Sequence, residues 1–200
     1  MTDALSRPLP NDRLRWLMMA IQHETGSYSL PLVLRQAGLD RYVGHLPPAD
    51  HRLGALAEDY AALVQAIRTY YGLGARGMLF RIGREAFRQE RLAHWLESLT
   101  ERIVLLGLPH QARQERTLRR LAEKMARPDD AVRLVRAEEG FYLTDRTGDR
   151  THGLSAPEPC CHTAMGEIAE ALLWATGVEP QVEEISCRAA GAAECRFRIR

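Results

Sequence analysis

The chain carries almost no net charge and no long apolar segment. Its 200 residues include 27 lysines and arginines against 26 aspartates and glutamates, a formal net charge of +1. Such a balance argues against an electrostatic surface for nucleic acid or anionic membrane. No apolar run approaches the ~20 residues that a membrane span needs. We therefore expect no nucleic-acid partner and no membrane span, and a length that suits one domain.

Sequence signatures of export and of common enzyme chemistry are also missing. Residues Met1 to Pro10 contain neither an apolar stretch nor a cleavage-site pattern, so a cytoplasmic protein is expected. The segment from Gly74 to Arg84 contains several glycines, but it matches neither a Walker A loop nor GxGxxG, and no strand precedes it. We interpret it as a helix whose small residues let another helix approach closely. No catalytic constellation is legible, which favours binding over turnover.

Cysteine is scarce, and every cysteine falls in the last forty residues: Cys160, Cys161, Cys187 and Cys195. Two short segments around Gly191 predict a β-hairpin. If Gly191 is its centre, three pairs of residues face each other: Cys187 with Cys195, Ile185 with Phe197, and Glu183 with Ile199. Buried hydrophobic thiols, a cross-strand disulfide and a shared metal ion all fit this spacing. A reducing cytosol favours metal ligands or reactive thiols over a disulfide.

The same stretch resembles a known family. Glu184-x-x-Cys187, then seven residues and Cys195-Arg-Phe, with Cys161-His162 opening the preceding helix, is similar to the C-terminal signature of the 4-vinyl reductase domain family. That family is named for a bacteriochlorophyll-biosynthesis protein and also forms the sensor domain of some aromatic-responsive transcription activators. The Ala-Arg-Gly…Arg-Ile-Gly-Arg run that begins at Ala75 resembles the family's central helix.

The resemblance implies a structural zinc ion held by four residues: Cys161, Glu184, Cys187 and Cys195. On a regular strand Glu184 and Cys187 face opposite sides, so a bulge or a strand end near Ser186 is required. His162 is a spare candidate ligand. Three thiolates and a carboxylate give the site a net charge of −2, which nearby arginines could offset: Arg188, Arg196 and Arg198. Of the adjacent cysteines Cys160 and Cys161, the family signature selects Cys161.

Periodicity predicts an α+β fold in which helices come first and pack on a roughly four-stranded antiparallel sheet that ends in the zinc-site hairpin. The predicted helices cover residues 11–26, 32–36, 51–70, 74–88, 92–106, 111–125 and 161–176. Strands are expected near 132–136 and 141–144, followed by the hairpin at 182–199. We expect one domain over 1–200, with 1–72 as a helical dimerisation part and 73–200 as the 4-vinyl reductase-like ligand-binding part.

These expectations lead to a functional hypothesis. The chain is a zinc-stabilised sensor or carrier domain for an apolar or aromatic small molecule, whose pocket lies between the sheet and the helices. The alternative is an enzyme or substrate-delivery protein for vinyl reduction in tetrapyrrole biosynthesis. A homodimer is expected because the N-terminal segment carries apolar residues that would be exposed in a monomer: Leu32, Val33, Leu39, Tyr42 and Val43.

Overall fold

A computed structural model describes residues 7–125 and 132–200 of the chain. The fold is α+β, as predicted, with helices and a four-stranded antiparallel sheet. The helices are α1 (Asn11–Thr25), α2 (Ser29–Gln36), α3 (Ala57–Tyr71), α4 (Ala75–Ala93), α5 (Trp95–Leu106), α6 (His110–Met125) and α7 (His162–Thr176). The strands are β1 (Pro8–Pro10), β2 (Leu53–Leu56), β3 (Val132–Ala137), β4 (Gly140–Asp145), β5 (Val182–Ser186) and β6 (Cys195–Ile199).

The main sheet has the strand order β3-β4-β6-β5, and every neighbouring pair is antiparallel. Its inner face carries alternating apolar side chains that are almost fully buried, as expected for a half-covered antiparallel sheet: Phe141, Leu143, Phe197 and Ile199. Helices α6 and α7 supply the other side of this core, through Leu118, Leu121, Ile168 and Leu172 among others. The sheet face is therefore filled by packing.

The predicted helix over 51–70 begins too early. Residues Leu53–Leu56 form β2, which pairs antiparallel with β1, and α3 starts only at Ala57. The backbone N–H of Asn11 donates to Arg52 O at 2.9 Å, and that of Ala57 donates to Arg7 O at 2.9 Å. These long-range hydrogen bonds satisfy backbone groups that a helix would have used locally. The predicted end is correct, because Gly72 follows α3 with a positive φ of 50°.

Two hydrophobic cores share helix α4. Near its N-terminus Leu79 and Ile82 pack into a core formed with α1, α2 and α3. Further along, Phe87 belongs to the core between α6, α7 and the sheet. Because one continuous helix contributes to both cores, the N-terminal helices and the C-terminal sheet are held by a common element. The predicted division at residue 72 remains a prediction.

Helices α4 and α7 cross at very short range, and glycine makes this possible. A Cβ atom on Gly83 would lie 2.0 Å from the carbonyl oxygen of Thr163 in α7. A Cβ on Gly166 would lie 2.0 Å from the carbonyl oxygen of Phe80 in α4. The predicted close approach is therefore confirmed at Gly83. It does not extend to Gly77, where an added Cβ would have no neighbour within 4 Å.

The N-terminal apolar residues that motivated the dimer prediction mostly pack within their own chain. Val33 and Leu39 are buried, and Tyr42 and Val43 pack against the N-terminal core. Only Leu32 of this group is half exposed, at 50%. The exposed-patch argument therefore does not hold for this segment, because α3 and α1 already cover it.

Helix α5 has the opposite arrangement, with its apolar residues outward. Leu96, Leu99, Ile103 and Leu106 recur at helical spacing and are 54–63% exposed. The inward side carries Ser98 and Glu101, and Glu101 forms ion pairs with Arg91 and Arg120. In the described ranges, no helix is long and apolar enough to cross a membrane.

Candidate metal centre and ligand pocket

Three separate elements bring the predicted ligands together. Cys161 directly precedes α7, Glu184 lies on β5, Cys187 follows β5, and Cys195 begins β6. One ligand atom from each residue lies within 4.8 Å of the others, and all four residues are buried. The Cys161 sulfur is 3.7 Å from that of Cys187 and 3.6 Å from that of Cys195. A buried Cys/Glu cluster that could hold a metal ion is therefore present.

A β-bulge solves the problem that Glu184 and Cys187 have opposite parity. Glu184 lies opposite Phe197 while Ser186 lies opposite Arg196, so Ile185 is an extra residue on β5. The extra residue reverses which side of the strand the following residues face. The bulge was predicted near Ser186, but the pairing of residues before it was not. Glu183 lies opposite Arg198 instead of Ile199, because the bulge shifts the register by one residue.

The geometry of the cluster fits a tetrahedral metal ion. Two ligands ~2.3 Å from one ion at a tetrahedral angle lie about 3.8 Å apart, close to the observed sulfur separations. The same separations of 3.6 and 3.7 Å are far longer than a disulfide bond, and all four cysteines are free. Glu184 Oε2 accepts the backbone N–H of Cys161 at 2.7 Å, whereas the buried Oε1 has no hydrogen-bond partner among the described residues.

Electrostatics also favour a cation in the cluster. Burial raises the pKa of Glu184 to about 8, although hydrogen bonds from Cys161 act in the opposite direction. The pKa of Cys161 is raised by its sulfur contacts with Cys187 and Cys195 and by burial. These groups cannot all ionise in a dry cluster unless a positive charge compensates them. A divalent cation supplies that charge and the missing partner of Glu184 Oε1.

Cys160 and His162 flank this cluster without joining it. The Cys160 sulfur is 3.9 Å from that of Cys187, but it is outside the set of four mutually close ligand atoms. His162 is the first residue of α7, its Nδ1 is buried without a hydrogen-bond partner in the described part of the chain, and burial lowers its pKa. The choice of Cys161 over Cys160 remains a prediction.

The arginines expected to offset the cluster's charge lie elsewhere. Arg196 stacks over the Tyr142 ring at 4.4 Å, and Arg198 pairs with Glu183. Arg188 contributes its backbone N–H, 3.4 Å from the Cys195 sulfur, while its guanidinium donates to carbonyl oxygens. Sequence reasoning missed Arg150, which is buried, pairs with Glu167 and interacts electrostatically with Cys161. It lies in the loop before α7, where no periodicity marks it as buried.

A separate cavity of about 390 Å³ lies among the helices. Its apolar wall comes from α1, α3 and α4, and includes Trp16, Leu17, Tyr60, Ala86 and Phe87. Thr163 and Glu167 of α7 close one side. The predicted position between sheet and helices is therefore wrong, because the inner face of the sheet is filled by α6 and α7. The volume falls in the range of small-molecule sites.

The polar groups of the cavity are largely paired. Asp12 lies 2.6 Å from His51 Nδ1, Glu90 pairs with Lys124, and Glu167 pairs with Arg150. The Tyr60 hydroxyl donates to Thr163 Oγ1 at 3.1 Å. Of the aromatic residues considered from sequence, Trp16 lines the cavity, Trp95 is exposed, and Phe141 is buried in the sheet core.

Comparison with known proteins agrees with the resemblance. Residues 151–200 match the family model of the 4-vinyl reductase domain. This match contains all four cluster residues but, of the cavity lining, only Thr163 and Glu167. No curated protein matches the chain.

A similar fold has been solved in the crystal structure of an H-NOX protein from S. oneidensis in the Fe(II)NO ligation state. The likeness covers 96% of this chain and 98% of that one, with a TM-score of 0.56 and 13% identity. At this identity the likeness concerns the fold alone. It extends beyond the 50 residues of the family match to nearly the whole chain.

Proposed function

We propose that this chain is a sensor or carrier domain that binds an apolar or aromatic small molecule in the helical cavity. The observation that carries this proposal is the cavity itself, with its volume of about 390 Å³ and its wall of Trp16, Leu17 and Phe87. Such a concave, mostly apolar site with a few polar groups is typical of small-molecule binding. The family match and the fold shared with a protein solved in a ligated state support it.

The Cys/Glu cluster serves the fold in this proposal. We propose a structural zinc ion held by Cys161, Glu184, Cys187 and Cys195. A closed site with four protein ligands stabilises a fold, whereas catalytic zinc keeps an open position. The ion would join the start of α7 to β5 and β6, and would fix the helix that closes one side of the cavity. Free thiols in this cluster suit a reducing cytoplasm.

The alternative is an enzyme or substrate-delivery protein for vinyl reduction of a tetrapyrrole, which the family match alone favours. Reduction of a vinyl group requires a hydride donor, and the sequence contains no dinucleotide fingerprint. A family can host binding as readily as catalysis. Binding without turnover is therefore the better-supported function.

We expect Ala86→Trp to weaken ligand binding at least tenfold, because the indole would occupy the cavity. Binding of a naphthalene-ring ligand by calorimetry measures this effect. The matched control is Arg116→Trp, which adds the same side chain at an exposed position of α6. Unchanged affinity in the Ala86 variant would place the ligand elsewhere. The wild-type protein, mixed with a divinyl tetrapyrrole and a nicotinamide nucleotide, should leave the pigment spectrum unreduced; clear vinyl reduction would favour the enzyme.

We also propose a homodimer, formed through the outward face of α5. Leu96, Leu99, Ile103 and Leu106 make an apolar stripe there. A contiguous apolar face of this kind is unusual on a monomer. A second copy of the chain offers an identical stripe, and a two-fold axis would pair the two faces with each other. This surface replaces the 1–72 segment as our preferred interface, since most apolar residues proposed there are buried within the chain.

The double substitution Leu99→Glu and Ile103→Glu should convert the dimer to a 22.6 kDa monomer in sedimentation equilibrium. Introducing like charges into a self-complementary apolar interface leaves them buried and facing each other. Leu32→Glu, at the half-exposed position in α2, is the control and should leave the dimer intact. Dissociation by Leu32→Glu alone would assign the interface to residues 1–72, and a monomeric wild-type protein would contradict the proposal.

A further inference from the structure

We infer that the cavity selects an aromatic carboxylate, whose ring lies on the apolar wall and whose carboxylate is bound by Trp16 and Arg13. This inference rests on the proposed binding function and assigns the chemical class of the ligand. It starts from the polar groups of the cavity that have no partner within the described parts of the chain.

Trp16 provides the first of these groups. Only 7% of the residue is exposed, and its indole N–H is buried without a hydrogen-bond acceptor among the residues described. Its ring meets His94 edge-on, with centroids 6.4 Å apart. A buried N–H without an acceptor costs roughly 1–3 kcal/mol of stability. Because Trp16 lines the cavity, a ligand with an acceptor atom would satisfy this donor.

Arg13 provides the second. It lies one turn before Trp16 on α1, lines the same cavity, and is half-buried. In the described parts of the chain no carboxylate lies within ion-pair distance of its guanidinium. The three carboxylates of the cavity instead pair with other residues: Asp12 with His51, Glu90 with Lys124, and Glu167 with Arg150. Arg13 is thus the charge of the lining that is left for a ligand.

The balance of donors and acceptors separates the ligand classes. An aromatic hydrocarbon would leave the Trp16 N–H unsatisfied when it expelled water from the cavity. An aromatic amine would need a carboxylate, and each one in the lining already has a cationic partner. A carboxylate offers acceptors to both Trp16 and Arg13, and hydrogen bonds between charged groups are the stronger ones. A site built to hydrogen-bond one ligand group discriminates against analogues that lack it, because its own buried groups then stay unpaired.

Three naphthalene derivatives with the same ring system test the inference: 2-naphthoate, 2-naphthylmethanol and 2-naphthylmethylamine. Calorimetric titration of the full chain at neutral pH should give at least tenfold tighter binding for the carboxylate than for the alcohol, and the weakest binding for the amine. Trp16→Phe keeps an aromatic ring but removes the N–H, and should weaken naphthoate binding about tenfold while changing the alcohol little. Arg13→Gln should act in the same direction.

Arg35→Gln is the matched control, because it removes the same charge at an exposed position of α2 outside the cavity. If Trp16→Phe does not fold, as judged by circular dichroism, Arg13→Gln alone decides. Equal or tighter binding of the alcohol, or an unchanged preference in Arg13→Gln, would overturn the inference and leave the binding function standing. Failure of all three compounds to bind would count against the binding function itself.

Discussion

Cys161→Ser is expected to lose its metal ion on dialysis, whereas Cys160→Ser keeps a full equivalent. The Cys161 sulfur is 3.7 and 3.6 Å from those of Cys187 and Cys195, and the four proposed ligand atoms are mutually close. The Cys160 sulfur approaches that of Cys187, at 3.9 Å, and lies outside the set of four. Two adjacent residues at the start of a helix point about 100° apart, so one ion cannot readily take both sulfurs.

The two variants should also differ in stability. Binding at a structural site is coupled to folding and is worth ~10–16 kcal/mol in small zinc peptides. Two hydrophobic cores remain in this chain, so we expect a partial loss of about 4 kcal/mol or more, and a fall in Tm of roughly 10 °C. Cys160→Ser should cost only about 1 kcal/mol.

Metal content by mass spectrometry and Tm by calorimetry check this pair of variants. The opposite pattern, with zinc retained in Cys161→Ser and lost in Cys160→Ser, would show that the ligand register is wrong by one residue. A wild-type protein purified without any bound metal, and unable to take up zinc, would refute the structural-zinc proposal as a whole.

Gly83→Ala is expected to destabilise the protein by about 3 kcal/mol or more. The added Cβ would lie 2.0 Å from the Thr163 carbonyl oxygen and 2.7 Å from its carbonyl carbon. Both are backbone atoms of α7, so no side chain can move aside, and the two helices must separate. Overpacking of this kind costs ~1–3 kcal/mol and occasionally more. Gly83 and Thr163 also line the cavity, so ligand affinity should fall as well.

Gly77→Ala provides the control on the same helix. An added Cβ there meets nothing within 4 Å, and the position is exposed. Alanine is ~1 kcal/mol better than glycine inside a helix, so this variant should be slightly more stable than the wild type. Thermal unfolding should therefore show a fall in Tm of roughly 6–12 °C for Gly83→Ala and a small rise for Gly77→Ala. Equal effects of the two substitutions would contradict the close crossing of α4 and α7.

Local pattern in the sequence was sufficient for most of the secondary structure. The predicted helix over 11–26 and the hairpin that begins at Val132 match α1, β3 and β4, because apolar periodicity reports which face of each element is buried. The fold class followed from the order of these elements. The proposed ligand set came from the family resemblance, and the positions of those four residues in the structure make a common metal site possible.

Features that depend on distant segments could not be read in this way. The helix predicted from residue 51 loses its first residues to β2, because β1 lies beside them and takes their backbone hydrogen bonds. Local sequence does not show that α6 and α7 fill the inner face of the sheet, and this packing is why the cavity lies among α1, α4 and α7. Likewise, the pairing of Arg150 with Glu167 and the missing partner of Trp16 among the described residues arise only when remote elements meet. Sequence by itself determined the elements and the fold class, while tertiary packing decided where the cavity lies and which polar groups remain available to a ligand.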